Sequence, residues 1–264
     1  MLFVGIDLAW SEKNSSGIAI IEGDEKSGKL ISCNILKSDK EIIDYINKFT
    51  KGKEAIISID APLVVPNEKG RRFAEELVGI LFRKYNAGAH PTNRKRLSSF
   101  TGKIRGEEIS KLLGSIGFKH NPYIKKFEKT RKFFEVYPHP SMVVLFNLDR
   151  ILQYKLKPKR DYNFRYEEFN KYKNHLKNLN NPLIKLTKEI LQEDITKLKS
   201  QKLKDFEDKL DSIFCAYLAY YSWVNPEKCT VLVTLNEGYI HTPIFDYMKD
   251  LLKNLKSQKN ITDF

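Results

Sequence analysis

Three short apolar runs in this chain each finish at a carboxylate: Asp7 in VGIDLAW, Asp60 in ISIDAPL and Glu135 in FFEVYPHPS. Residues 2–8 and 55–59 are almost unbroken apolar stretches, which suits strands buried on both faces. Pro62 stops the second run, since proline cannot continue a central strand. The third closes on Pro138-His139-Pro140. In an α/β sheet, ligands bind in the crevice beyond the carboxyl ends of the strands. An ionised carboxylate buried there is costly unless it is paired or binds a cation. Each acid taken singly also reads as a residue capping a turn. Three together favour a shared cation site.

The remaining pattern builds a sheet around these runs. Residues 17–22 (GIAIIE) and 30–36 (LISCNIL) follow the first run after polar segments, as a three-strand meander would. Ser38 or Asp39 can cap a helix that carries Ile42, Ile43, Ile46 and Phe49 at helical spacing. Residues 69–130 read as mostly helical and irregular, with glycine and proline breaks. Residues 141–154 and 182–204 read as helices on either side of a Tyr- and Lys-rich stretch. Residues 206–223 form a strong helix, 230–235 (TVLVTL) a strand and 244–255 a closing amphipathic helix. This order predicts an α/β fold, one mixed sheet with helices on its faces. We expect a single domain over 1–264, with basic helical insertions at about 69–132 and 151–205.

Within residues 206–223, Phe206, Leu210, Ile213, Phe214, Tyr217 and Tyr221 make a broad apolar face. Asp208 and Asp211, at i and i+3, point the same way and share a stripe with the small residues Cys215, Ala219 and Ser222. Such a stripe lets a helix lie close to another element and brings its carboxylates near the backbone it covers. A solvated acidic face near a helix start is the plainer reading of the same pair. If Asp7, Asp60, Asp208 and Asp211 meet, an oxygen-only ligand set suits Mg²⁺ or Mn²⁺ and not zinc. Two such ions activate a water and stabilise the leaving oxygen of a phosphodiester. Glu135 is a further catalytic candidate.

The net charge is +13, with two basic blocks: residues 69–132 carry +12 and residues 151–205 carry +7, while the rest of the chain is mildly acidic. A polyanion such as DNA or RNA would be drawn to them, with affinity falling steeply in salt. Arg71 and Arg72 can clamp phosphate in a fork geometry, and Arg94, Lys95 and Arg96 sit in the densest run, RKYNAGAHPTNRKR. Lysine on solvated faces accounts for part of the excess, as 185–204 suggests. An acidic cluster alone repels nucleic acid; basic blocks beside it point to metal-dependent phosphodiester cleavage.

Other features narrow the field. No apolar run reaches the ~18–20 residues that a membrane helix needs, and Asp7 interrupts the opening where a secretory signal would still be apolar. Three scattered cysteines fit neither a disulfide framework nor a CxxC zinc site. The chain therefore reads as cytoplasmic. Ser11, Ser15 and Ser16 lack the elbow of a serine hydrolase. Tyr137 and His139 lie just past a strand end, where His139 either touches a phosphate or serves as a turn residue. Glu237 in EGYI is open to a similar pair of readings.

Together, GIDLAW, IDAPL, EVYPHPS, DxxDSIFCAYLAY and EGYIHTP, in this order and spacing, resemble the family known as domain of unknown function 429. Its members are regarded as predicted nucleases of the ribonuclease H-like fold. The resemblance covers nearly the whole chain, with 151–205 a longer and less typical insertion. It implies a ribonuclease H-like sheet with Asp7 on the first strand, Asp60 on the fourth and Glu135 on the fifth. Asp208 and Asp211 also look like the D-x-x-D of resolvases that cut branched DNA. Resolvases of that type have Glu on the fourth strand, where this chain has the shorter Asp60. Two other functions stay open. One is a non-catalytic nucleic-acid-binding module. The other is an ATP-binding sugar-kinase or actin-like protein, against which stands the Leu8-Ala9-Trp10 that follows the early Asp, where glycine would admit phosphate.

Overall fold

The computed structural model describes residues 1–99 and 101–259. Its main sheet contains β1 (Leu2–Asp7), β2 (Ser16–Gly23), β3 (Ser27–Leu36), β4 (Ala55–Asp60), β5 (Lys119–His120), β6 (Arg131–Glu135) and β7 (Leu183–Lys185). Their spatial order is β5-β6-β4-β1-β2-β3-β7. The meander β1–β2–β3 is antiparallel, while β4, β6 and β5 extend it in parallel from β1. This is a mixed α/β sheet consistent with a ribonuclease H-like fold. A separate antiparallel pair, β8 (Cys229–Leu232) and β9 (Ile240–Pro243), takes only the first three residues of the strand expected over 230–235.

The helices are α1 (Asp39–Thr50), α2 (Phe73–Phe82), α3 (Arg94–Ser98), α4 (Arg105–Ser115), α5 (Pro138–Leu145), α6 (Tyr162–Lys177), α7 (Lys188–Gln192), α8 (Ser200–Val224) and α9 (Asp246–Lys259). Ser38 caps α1 in a full capping box with Glu41, and Ile42 and Ile46 go to the sheet. Alternation along the strands divides the core. Phe3, Ala19, Ile56 and Phe134 face α8, while Val4, Ile6, Ile57 and Phe133 face α1 and α4. Among the described residues, no helix is long and apolar enough to cross a membrane.

The structure corrects three expectations between 141 and 206. Helix α5 stops at Leu145, and residues 151–157 run on without regular structure. The Tyr- and Lys-rich stretch is itself helix α6, whose Phe169, Tyr172 and Leu176 enter the core beside α8. Residues 182–204 are no single helix: β7 pairs in parallel with the outer edge of β3, short α7 follows, and α8 begins at Ser200.

Helix α8 lies directly on the strand backbones. A Cβ on Gly5 would come within 2.0 Å of the Ala216 amide nitrogen and 2.1 Å of the Ser212 carbonyl oxygen, and one on Gly17 within 2.0 Å of the Asp208 carbonyl oxygen. Only glycine admits this approach. The small-residue stripe on α8 is its counterpart.

Candidate active site

Asp7 and Asp60 end adjacent parallel strands in register, so their Cα atoms are direct partners. By the same parity as Phe3 and Gly5 on β1, and Ile56 on β4, both side chains lie on the sheet face that α8 covers. The close crossing at Gly17 sets Asp208 over the end of β1, near enough to Asp7 for its charge to raise the Asp7 carboxyl. Asp211 lies one turn further along α8. The four acids come from three places in the chain, β1, β4 and α8, and lie near one another at the carboxyl ends of β1 and β4.

The acids are not equivalent. Asp211 is fully buried, accepts hydrogen bonds from Tyr154 Oη (2.6 Å) and Tyr172 Oη (3.2 Å), and has Lys155 Nζ 3.0 Å from its second oxygen. Against the cost of burial, Lys155 and the Tyr154 hydroxyl hold it below the usual carboxylate range. Burial lifts Asp7 well above that range, and Asp211, Asp208 and Asp60 add repulsion. Burial pushes Asp60 up to about 7, with Lys155 opposing and Asp211 and Glu135 adding. Asp208 is raised chiefly by burial, although Lys204 Nζ lies 2.6 Å away. Burial works against the Lys155 ammonium, yet Asp211, Asp7 and Asp60 keep it protonated.

For the expected metal ligands this has a plain consequence. Among the described residues, no three Asp, Glu, His or Cys side chains form a group that could hold a metal ion. Asp211 is taken up by two tyrosines and a lysine, and it does not line the cleft. Asp7, Asp60 and Asp208 do line it.

Glu135, which the sequence offers as a further catalytic acid, is part of a buried ion-pair network instead. Register decides this: Ser58 pairs with Phe134 and Ile59 with Glu135, so Glu135 points away from α8. There Arg72 grips it with two bonds, Nη1 to Oε2 at 3.0 Å and Nη2 to Oε1 at 2.5 Å, and the Leu63 amide donates a third at 2.9 Å. Burial lifts the Glu135 carboxyl while the guanidinium draws it back. Arg72 also bonds Glu75 and the Val64 carbonyl, and at 3% exposure it has no donor left for a phosphate. Its side chain packs under Gly238, where a Cβ would meet Arg72 Cδ at 2.7 Å. That contact explains the glycine of EGYI; Glu237 itself is exposed and takes a bond from Thr234. Arg72→Ala should cost about 3–5 kcal/mol in denaturant unfolding, because it strands a buried carboxylate. Arg72→Met with Glu135→Leu should recover part of that loss. Equal stability of Arg72→Ala and wild type would contradict the network.

The remaining basic candidates lie outside the cleft lining. Arg71, Lys95 and Arg96 are exposed. Arg94 is bound to Glu107 at 2.8 Å and to the Val65 carbonyl. The cleft, about 980 Å³ in volume, is lined by other cations: Lys13, Lys37, Lys155, Lys157 and Lys204. Sequence reasoning misses these because they are scattered over three loops and a helix start, with no local clustering to mark them. His139 also lines the cleft, 3.3 Å from Tyr137 Oη. Burial, with Lys155 nearby, pushes it down to about 3, so the ring is neutral near pH 7.

The whole arrangement is an acid floor at the strand ends, one pinned ammonium within it and a lysine-bearing rim. Among curated proteins none matches the chain. Residues 5–238, which contain β4, β6, α8 and every acid of the floor, match the model of the family described as "Protein of unknown function (DUF429)", and the chain belongs to that family.

Proposed function

We propose that this protein is a divalent-metal-dependent nuclease that hydrolyses phosphodiester bonds of DNA or RNA. One observation carries the reading: Asp7 and Asp60 stand side by side at neighbouring strand ends, beneath Asp208, on the floor of a large cleft. The donor chemistry fits a hard cation, being oxygen only. The charge fits as well, since Asp7 and Asp60 are both pushed up by burial and by neighbouring carboxylates, Asp211 among them, which Lys155 only partly offsets. Asp7, Asp60 and Asp208 would hold Mg²⁺ or Mn²⁺ once their side chains converge. Such an ion supplies an activated water and neutralises charge on the phosphoryl group. Lys13, Lys37 and Lys157 on the rim attract the phosphate backbone, and neutral His139 offers a hydrogen bond inside the cleft. The three cysteines are unpaired, as suits a reducing compartment, and we place the protein in the cytoplasm.

The Lys155–Asp211 ion pair within the cluster favours a second reading, a nucleic-acid-binding protein without catalysis. One experiment separates the two. Single-stranded, duplex, hybrid and branched substrates are incubated with Mg²⁺ or Mn²⁺ and resolved on a denaturing gel. Cleavage of at least one, stopped by a chelator, is expected. Salt-sensitive binding with no cleavage of any substrate would establish the second reading instead.

A further inference from the structure

Trp10 stands three residues beyond Asp7, lines the same cleft and stays 41% exposed. A single exposed aromatic is ordinary, but the surroundings of this one are built. The loop that carries it is pinned at both ends. The Ala9 amide donates to Ser16 Oγ at 3.1 Å, and the buried Arg105 guanidinium donates to the Ala9 carbonyl at 2.9 Å, to Ser16 Oγ and to the Lys37 carbonyl. The Asp39 carboxylate fixes Arg105 in turn, at 2.7 Å. The Arg96 guanidinium packs on the indole, 5.2 Å from the ring centroid, and is itself bonded to the Pro91 carbonyl. The indole thus stands on a pinned loop, beside a guanidinium, in an acid-floored cleft whose rim carries Lys13, Lys37 and Lys157.

An aromatic plane flanked by cations is what an unpaired nucleobase stacks on, with its phosphates on the lysines. A paired base keeps its faces inside the duplex and offers none to Trp10. We propose that Trp10, backed by Arg96, is the stacking platform for an unpaired base next to the scissile phosphate. The substrate is then single-stranded nucleic acid, or a strand with an extruded base. This specificity rests on the nuclease reading given above. Arg96 therefore acts through the indole, not as a phosphate clamp.

The test uses the intact protein in chelator at low salt, so that binding is read without cleavage. The chain has two tryptophans, and Trp223 is buried at 6% exposure, so quenching on base stacking reports on Trp10. A short oligothymidylate should quench the emission. Trp10→Ala should weaken its binding, read by anisotropy of a labelled strand, roughly 5- to 100-fold, while Trp10→Phe keeps most of it. An abasic oligomer of equal length should bind wild type and Trp10→Ala alike. Wild-type affinity in Trp10→Ala, or equal binding of abasic and thymidylate strands by wild type, overturns the platform. Cleavage is scored separately. If cleavage persists without stacking, the platform alone fails. If stacking occurs and no substrate is cut, the hydrolytic reading fails and the platform stands.

Discussion

Asp7→Asn is expected to lower metal-dependent cleavage by roughly 10³-fold or more, because groups that act as one catalytic unit fail together. The same substitution should raise thermal stability at neutral pH. Asp7 is a buried carboxyl whose folded value lies well above 3.8, and Asp60 beside it reaches about 7. A group raised on folding contributes stability that is complete below its unfolded value. That contribution is lost as the pH climbs through the folded value. In chelator, the wild type should therefore lose stability through these two acids as the pH climbs above about 4, the Asp60 share running up to its folded value of about 7. The amide of the variant cannot ionise, so the share of that loss due to Asp7 disappears and the melting temperature at neutral pH rises. Melting curves from mildly acidic to mildly basic pH check this. A variant that melts lower than wild type at neutral pH would show that the Asp7 charge is favourably paired, and that the acid floor is a structural feature and no reaction centre. Lost activity with gained stability is the pattern of residues kept for chemistry.

Gly5→Ala should prevent folding, or destabilise the chain by on the order of 5 kcal/mol or more, most of what a domain has to spare. The added methyl would sit 2.0 Å from one backbone atom of α8 and 2.1 Å from another. Backbone on both sides leaves no flexible side chain to yield. To make room, α8 would lift from the sheet centre, parting the stacked Phe3 and Tyr220 rings and the bond from Ser58 Oγ to the Cys215 carbonyl. Asp208 would rise with it. Gly114→Ala is the control: it lies in α4, nothing is within 4 Å of its added methyl, and the gain there should be about 0.5–1 kcal/mol. Soluble yield, circular dichroism and denaturant unfolding decide it. A Gly5→Ala protein that unfolds at the wild-type midpoint would rule out the close crossing.

Local pattern makes some of this legible and geometry hides the rest. The strand ends at Asp7 and Asp60 can be read because each belongs to a short run with a clear stop, and α8 because its apolar face repeats over several turns. Glu135 looks the same as those two acids in sequence. What separates it is register, since Ile59 and not Ser58 pairs with it, and no residue near Glu135 encodes that. Arg72 reads as a phosphate clamp because its partner is 63 positions away. Lys155 lies in an irregular stretch whose lysines look solvated, yet it reaches Asp211. Helix α6 is obscured by tyrosines and lysines whose rings and stems face the core while their polar ends reach the surface or Asp211.

The pairing of β7 with β3 gives the basic stretch a second job. The open side of β3 would otherwise present unpaired amides and carbonyls to any passing chain. Three residues of β7 cover part of that side at Ser27, Gly28 and Lys29. Excising residues 151–205 would remove Lys155 from the floor and also bare a hydrogen-bonding rim on which molecules can zip together. Loss of activity in such a deletion would then reflect self-association as much as missing chemistry.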